Sequence, residues 1–495
     1  MRRRETSYLS RWFSLALIIL AAILLIFQLV NYSRLRTYYP AGMKIAGIPV
    51  GGMDPQSASQ KLLQVYAATP IEIRLGDQII HMDPSSAGYE INLESMLAAA
   101  DYERTGGAFW IGFWDYLWNR QSAPAEIPLI DSINQDQLGN YLKNELAARY
   151  DQPAIPAQPV AGSTQFQSGV PGQSLDIARA AIFIEDALRS PSNRTVTLPF
   201  GNVKPPRPTV ENLQIQIQQI IDLAGFDGIV GFYLKDLQSG EVLHFVYQDG
   251  QFVSVDPDVA FTASSTIKIP IMISTYRNSG PTLDEQTKDL VLAMITKSDN
   301  PQSDALMTRL DAYRGPLIVT ETLRQLGIEN TFIAGFFKEG SFLLENIQTP
   351  ANSRTDITTN PDAYNQVTPS DIGIILEDLY QCAETGGSAL VAAFPGKIDK
   401  TACQEMIQFL KQDRIGVLIE AGVPDGTQLA HKHGWISGAS GIIQNISDAA
   451  IVYTPGGDYV LAIYVYHPVQ AIWEPVSEMI AKISEATYNF FNISD

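Results

Sequence analysis

Residues 259–275 read VAFTASSTIKIPIMIST, a short polar cluster opening onto an apolar run. Ser265 and Lys268 stand three apart in it. If a helix begins here, residues i and i+3 share a face and these two side chains reach one another. A serine hydroxyl is a poor nucleophile until a base takes its proton, and a lysine held neutral or hydrogen-bonded at this spacing can do so. Alone the pattern is weak, since Ser-x-x-Lys arises by chance about twice in a chain of this length. The sequence further out decides its meaning. Ser298-Asp299-Asn300 follows the helical stretch DLVLAMITK, and Lys432-His433-Gly434 lies in the strand-like QLAHKHGW. Each also has a plain structural reading. Ser, Asp and Asn are good helix N-caps, and a lysine on an edge strand is ordinarily solvated.

The surrounding pattern is α+β. VENLQIQIQQIIDLAG (210–225) has helical periodicity, and GIVGFYLK and EVLHFVY follow as strands. Near the C-terminus QLAHKHGW, SDAAIVYTP and DYVLAIYVY read as three strands, with a closing helix over 474–491. Strands at both ends of a helical middle predict that both ends join one antiparallel sheet, with helices packed against it.

In chain order the three motifs resemble Ser-x-x-Lys, Ser-Asp-Asn and Lys-Thr-Gly of the class A β-lactamases and penicillin-binding proteins. VAFTASSTIKIPI is similar to the nucleophile helix of that family. VTPSDIGIILEDLY (367–380) is similar to its Thr-Pro helix, and the last two strands with their Pro-Gly-Gly turn to its closing hairpin. The resemblance covers about 210–493 and implies a serine acyl-hydrolase of β-lactamase type. Ser265 then attacks the acyl carbonyl and Lys268 helps deprotonate it. Ser298 relays a proton to the leaving nitrogen, and Asn300 contacts the substrate amide. Lys432 supplies a cationic field, and Gly434 and Trp435 border the substrate. The oxyanion hole is implied to be the backbone N–H groups of Ser265 and Trp435. Neither metal nor organic cofactor is called for.

The sequence departs from the family in two places. Position 433 is His where a hydroxyl residue is usual, so His433 is expected to hold the substrate carboxylate. His431 shares its strand face, but no third ligand accompanies this His-x-His pair and no metal is expected. The second departure is the missing Glu-x-x-Leu-Asn loop, whose Glu activates the deacylating water. Glu339 and Glu345 fall in the right part of the chain without that pattern. Acylation thus reads as intact, while hydrolysis of the acyl-enzyme is in question. The alternatives to a β-lactamase are a peptidase acting on D-Ala-D-Ala stems of peptidoglycan, and a protein that binds penicillin or wall fragments without turnover.

Residues 12–30, WFSLALIILAAILLIFQLV, carry no charge. At ~1.5 Å per residue they nearly cross a ~30 Å hydrocarbon core. Arg2, Arg3, Arg4 and Arg11 precede them and favour a cytoplasmic N-terminus. A single-pass anchor in the cell membrane over 1–36 is the expectation, with a cleaved signal peptide as its rival. Either places the rest of the chain outside the cytoplasm, where Cys382 and Cys403, the only cysteines, can form a disulfide rather than remain buried thiols.

Residues 37–203 read as small α+β units. A helix is expected near Asp54-Pro55 with Ala58, Leu62, Leu63 and Tyr66 on one face. IEIRL and QIIHM form a hairpin about Gly76-Asp77. GIPVGGMDPQSA and GVPGQSLDIARAAIFIEDAL resemble a peptidoglycan-binding domain, which implies docking to glycan strands or a spacer role. FWIGFWDYLW (109–118) has two readings: a sugar-stacking or membrane-interface surface, or a core helix burying Trp110, Phe113, Trp114 and Leu117. The prolines of 204–209, KPPRPT, mark a stiff linker before the chemical domain, 210–495.

Composition agrees with a folded protein: 45% hydrophobic and 18% charged residues. Thirty-four Lys and Arg against 53 Asp and Glu give a net charge of −19. That balance excludes a nucleic-acid partner, which needs a basic face for phosphates.

Overall fold

The computed structural model describes residues 5–120, 123–253, 256–437 and 441–493. Arg2, Arg3 and Arg4, on which the orientation of the anchor partly rests, lie outside them. The chain forms two compact units, Met1–Ala154 with Pro171–Lys204, and Ile155–Val170 with Pro205–Asp495.

The first unit begins with α1, Glu5–Leu35, which contains one span, Ser10–Leu35, long and apolar enough to cross a membrane. Helix α2, Pro55–Leu63, starts where Asp54 accepts the N–H groups of Gln56 and Ser57, both at 3.0 Å. That cap satisfies two orphan donors of the first turn. Ala58, Leu62 and Tyr66 are buried at i, i+4, i+8, whereas Leu63, expected beside them, turns a further 100° and is exposed. Strands β1, Ile71–Leu75, and β2, Gln78–Met82, pair Leu75 with Gln78 across Gly76-Asp77. Helix α3, Phe109–Leu117, corrects the core reading of the aromatic run. Of the four residues expected inward only Phe113 is buried, because the helix seats on α1 through a different stripe. Helix α4, Ile177–Arg189, and β3, Thr195–Thr197, which joins β1 in parallel, complete this unit.

The second unit opens with α5, Val210–Ala224, closed by Gly225 in the left-handed region. Strands β4, Ile229–Asp236, β5, Val242–Gln248, and β6, Gln251–Phe252, follow. A 3₁₀ turn, Ser264–Ile267, then runs into α6, Lys268–Ser279. After α7, Glu285–Thr296, and α8, Asn300–Leu310, come α9, Pro369–Thr385, and α10, Lys400–Leu410. The chain ends with β7, Gln428–Ser437, β8, Ile443–Tyr453, β9, Tyr459–Tyr466, and α11, Trp473–Phe491. The sheet order is β6-β5-β4-β9-β8-β7, antiparallel throughout.

All eight residues of β9 are buried, since each face of the sheet is covered. Tyr459, Leu461, Ile463 and Val465 join the core that includes residues of α5 and α11, and Val460, Ala462 and Tyr464 join the core that includes α6 and α9. Cys382 of α9 and Cys403 of α10 are joined in a disulfide.

Two segments assigned to other regions in the sequence reading belong here. Residues 155–170, read as part of 37–203, are tied to α5 and α11. Gln216 donates to the Ser163 carbonyl at 2.9 Å, and Asn489 to that of Thr164 at 2.8 Å. The proline-rich stretch is no free spacer after Lys204. Arg207 donates to the Gly456 carbonyl at 2.7 Å and stacks over Phe491 at 5.0 Å.

Candidate active site

The 3₁₀ turn carries Ser265 at the mouth of α6. Thr266 bolts the turn in place, donating to the Ala263 carbonyl at 2.6 Å and accepting from Tyr464 Oη of β9 at 2.8 Å. Ser264 is held at φ 53°, a left-handed conformation that costs a non-glycine residue about 1 kcal/mol or more. One turn of helix brings Lys268 back under Ser265, as its spacing predicts.

Lys268 is fully buried and is the hub of the site. Its Nζ lies 2.9 Å from Ser265 Oγ, 2.6 Å from the Ser298 carbonyl, 3.1 Å from Ser298 Oγ and 2.9 Å from Asn300 Oδ1. Burial, reinforced by repulsion from Lys432, pulls its pKa down from 10.5 to about 7. Near neutral pH this amine is therefore part of the time a free base in hydrogen-bond contact with a serine hydroxyl.

Ser298-Asp299-Asn300 serves two ends at once. Asp299 caps α8, accepting the Gln302 N–H at 3.3 Å, the structural role expected of such a tripeptide. With Asp299 turned to the helix, Ser298 and Asn300 face the lysine. Ser298 sits at φ 52°, and its carbonyl is the shortest of the four Lys268 contacts.

Strand β7 forms the opposite wall. At Gly434 a Cβ would lie 2.7 Å from the Ser265 nitrogen, so only glycine lets the strand approach the Ser265 turn this closely. Lys432, fully buried, donates to Asp413 Oδ2 at 3.1 Å. Burial alone would raise the Asp413 carboxyl, but His433, Lys432 and His431 outweigh it and hold it below its usual range. Burial lowers Lys432 in turn, against the pull of Asp413.

The two strand histidines are both buried. His433 is 4% exposed, and its Nδ1 lies 2.9 Å from Asp413 Oδ2, outside hydrogen-bond angles. It stacks on Trp435, a residue of the cleft wall, with ring centres 5.0 Å apart. His431 has both ring nitrogens engaged, Nδ1 with Asp448 at 3.0 Å and Nε2 with the Asp413 carbonyl at 2.8 Å. Burial opposes its charge, but Asp448 and Asp413 prevail and raise its pKa to about 9. A doubly protonated ring has no lone pair for a metal. Among the described residues no cluster of three metal-ligating side chains exists.

The cleft over Ser265 holds about 350 Å³. Ser265, Asn300 and Trp435 border it, together with residues 335–341 and Tyr364. This loop was not read from the sequence. Asp304 of α8 pins it, Oδ1 accepting the Phe337 N–H and Oδ2 that of Lys338, each at 2.8 Å. The pinning sets the Phe337 ring 5.4 Å from Lys268 Nζ. Glu339 lines the outer cleft and is exposed, while Glu345 faces a different pocket. An aromatic ring thus lies beside Lys268, and both Asp304 oxygens are occupied by the loop backbone. Phe337 and Asp304 carry no motif. Asp413 had one indirect signal: a lysine on a buried strand requires a counter-charge.

The profile of the beta-lactamase enzyme family matches residues 212–286 and 278–491, together more than half of the chain. Among solved structures, a point mutant of PBP-A captured as an acyl-enzyme complex with penicillin G is 23% identical over 58% of this chain and 99% of that one, with a TM-score of 0.41. The beta-lactamase of Desulfarculus baarsii is 18% identical over 58% of this chain and all of its own, at 0.42. A class A beta-lactamase from Mycobacterium abscessus is 19% identical over 57% and 99%, at 0.40. No curated protein matches.

Proposed function

The chain belongs to the beta-lactamase enzyme family, and from that premise we propose that its second unit acylates itself at Ser265 with β-lactams or peptidoglycan stem peptides and releases the acyl group slowly. The observation that carries this reading is the buried Lys268 amine, 2.9 Å from Ser265 Oγ with its pKa drawn down to about 7. Neutral Lys268 takes the hydroxyl proton as Oγ bonds to the carbonyl carbon. The carbonyl oxygen becomes an oxyanion facing the N–H groups of Ser265 and Trp435. Its collapse breaks the C–N bond, and Ser298 passes the proton from Lys268 to the leaving nitrogen. Asn300 holds the substrate amide, and the Lys432 charge favours the anion of the transition state.

Release needs a second nucleophile, water or an amine, and a base to activate it. Phe337 rather than a carboxylate stands beside Lys268, and Glu339 on the cleft wall is exposed to solvent, which favours a slow second step over a fast β-lactamase. A wall peptidase using the same residues is the second reading. It is favoured by this ring and by the resemblance of 40–200 to a glycan-docking module. In either case α1 anchors the protein in the cell membrane through residues 12–30, with the acylating unit outside the cytoplasm. A time course with fluorescent penicillin separates the readings. Persistent labelling with peptidase turnover supports the second, and labelling lost within seconds contradicts slow release.

A further inference from the structure

We propose that α3 is a membrane-interface helix, whose outer face of Trp110, Ile111, Trp114 and Trp118 enters the headgroup region of the bilayer crossed by α1. The proposal rests on the reading of α1 as a membrane span.

The helix is amphipathic in an uncommon sense, since both faces are apolar and only one is covered. Phe109, Phe113 and Tyr116 point to α1, where the Tyr32 ring meets theirs at 5.3, 5.6 and 5.3 Å. Tyr116 Oη donates to Gln28 Oε1 at 3.1 Å. Gly112 makes the seat possible, because a Cβ there would lie 2.2 Å from Tyr32 Oη. The other face is left open. Trp110 is 68% exposed, Ile111 67%, and Trp114 and Trp118 59% each. A contiguous apolar patch of this kind on a folded domain marks an interaction surface.

The place of the seat along α1 selects the occupant. From Ser10 to Phe27 the side chains of α1 are exposed, and contact with the rest of its unit begins at Gln28 and reaches full burial at Tyr32. The apolar run is 12–30, about 28 Å at ~1.5 Å per residue, close to the ~30 Å of a hydrocarbon core. If that run fills the core, Gln28 to Tyr32 lie at its far boundary, and α3 lies there with them. Tryptophan concentrates at this depth, where its ring is buried in the acyl boundary and its N–H meets water and headgroups. Arg36, stacked on Phe109 at 5.4 Å and donating to the Thr105 carbonyl at 2.9 Å, fixes the helix at the same level. A glycan platform would set hydrogen-bonding side chains among the rings. The four outward residues offer only indole N–H groups.

The test uses the full chain in phosphatidylcholine–phosphatidylglycerol vesicles. Wild type is compared with a variant carrying Trp110→Phe, Trp114→Phe and Trp118→Phe, which keeps the aromatic packing and removes the three reporters. Their emission is the difference between the two proteins. Lipids brominated near the headgroup end of the acyl chain should quench that difference by about half, and lipids brominated near the methyl end much less. Carbonate washing of the vesicles checks the span separately. A carbonate-resistant protein whose difference emission is quenched by neither lipid overturns the interface helix and leaves the span standing. Release by carbonate overturns the span and the proposal with it. Unquenched emission that shifts on addition of purified peptidoglycan overturns it in favour of a glycan surface.

Discussion

Lys268 ties the chemistry of the site to its stability through one proton. With a pKa of about 7, about 9% of the amine is neutral at pH 6 and about 91% at pH 8. If the neutral amine is the base, the second-order acylation rate rises roughly tenfold over that interval and levels above it. The folding equilibrium shows the same group from another side. In the unfolded chain the lysine holds its proton up to about 10.4, so between pH 7 and that value folding releases one proton. Stability then rises with pH across the window, by about 1.4 kcal/mol per pH unit from this residue alone. Replacing Lys268 with Met removes the term. Labelling by fluorescent penicillin from pH 6 to pH 9 gives the first slope. Urea denaturation of wild type and Lys268→Met at pH 8 and pH 10 gives the second, and wild type should gain on the variant by about 2–3 kcal/mol. A flat acylation profile between pH 6 and pH 8, or parallel stability curves for the two proteins, would refute the depressed pKa and with it the assignment of the base.

Three further outcomes follow from particular contacts. Phe337→Glu places a carboxylate beside Lys268, and intact-mass measurement should show acyl-enzyme lifetime shortened by about 10²-fold; an unchanged lifetime means that the ring is not what slows release. Asp413→Asn leaves Lys432 buried without its counter-charge and should cost about 3–5 kcal/mol in urea denaturation, with Lys432→Met added to it recovering part of the loss. Loss under 1 kcal/mol would show the pair to be solvated. Gly434→Ala drives a methyl into the Ser265 nitrogen and should lower acylation by about 10²–10³ while binding of a poorly reactive β-lactam persists; wild-type acylation would mean that this N–H is not an oxyanion donor.

The parts of the site that were legible in the sequence are those set by short spacing. Ser265 and Lys268 meet because i and i+3 share a helical face, and Ser298 and Asn300 follow because Asp299 caps the next helix. The sheet was readable from strand-like runs at both ends of a helical stretch. What was not legible depends on distant chain. Phe337 stands beside Lys268 only because Asp304, on another element, fixes its loop by two backbone bonds. His433 and Lys432 share a neighbour in space, Asp413, which comes from the turn after α10 and could not be placed from spacing along the strand. The aromatic run of α3 has helical spacing in either reading. Periodicity does not say which stripe is buried, and the answer lay in Tyr32, far away in sequence. Residues 155–170 resemble their sequence neighbours in composition, and only their hydrogen bonds to α5 and α11 place them with the second unit.

In the proposed chemistry Ser265 forms the acyl bond. Incubation of the full-length protein with penicillin G, followed by intact-mass measurement and peptide mapping, tests it most directly. One added penicillin per chain is expected, carried on the peptide containing Ser265, with no adduct on Ser265→Ala, a variant that deletes one hydroxyl and keeps the fold. An adduct on Ser265→Ala at the wild-type rate, or one mapped to another residue in the wild type, would contradict it.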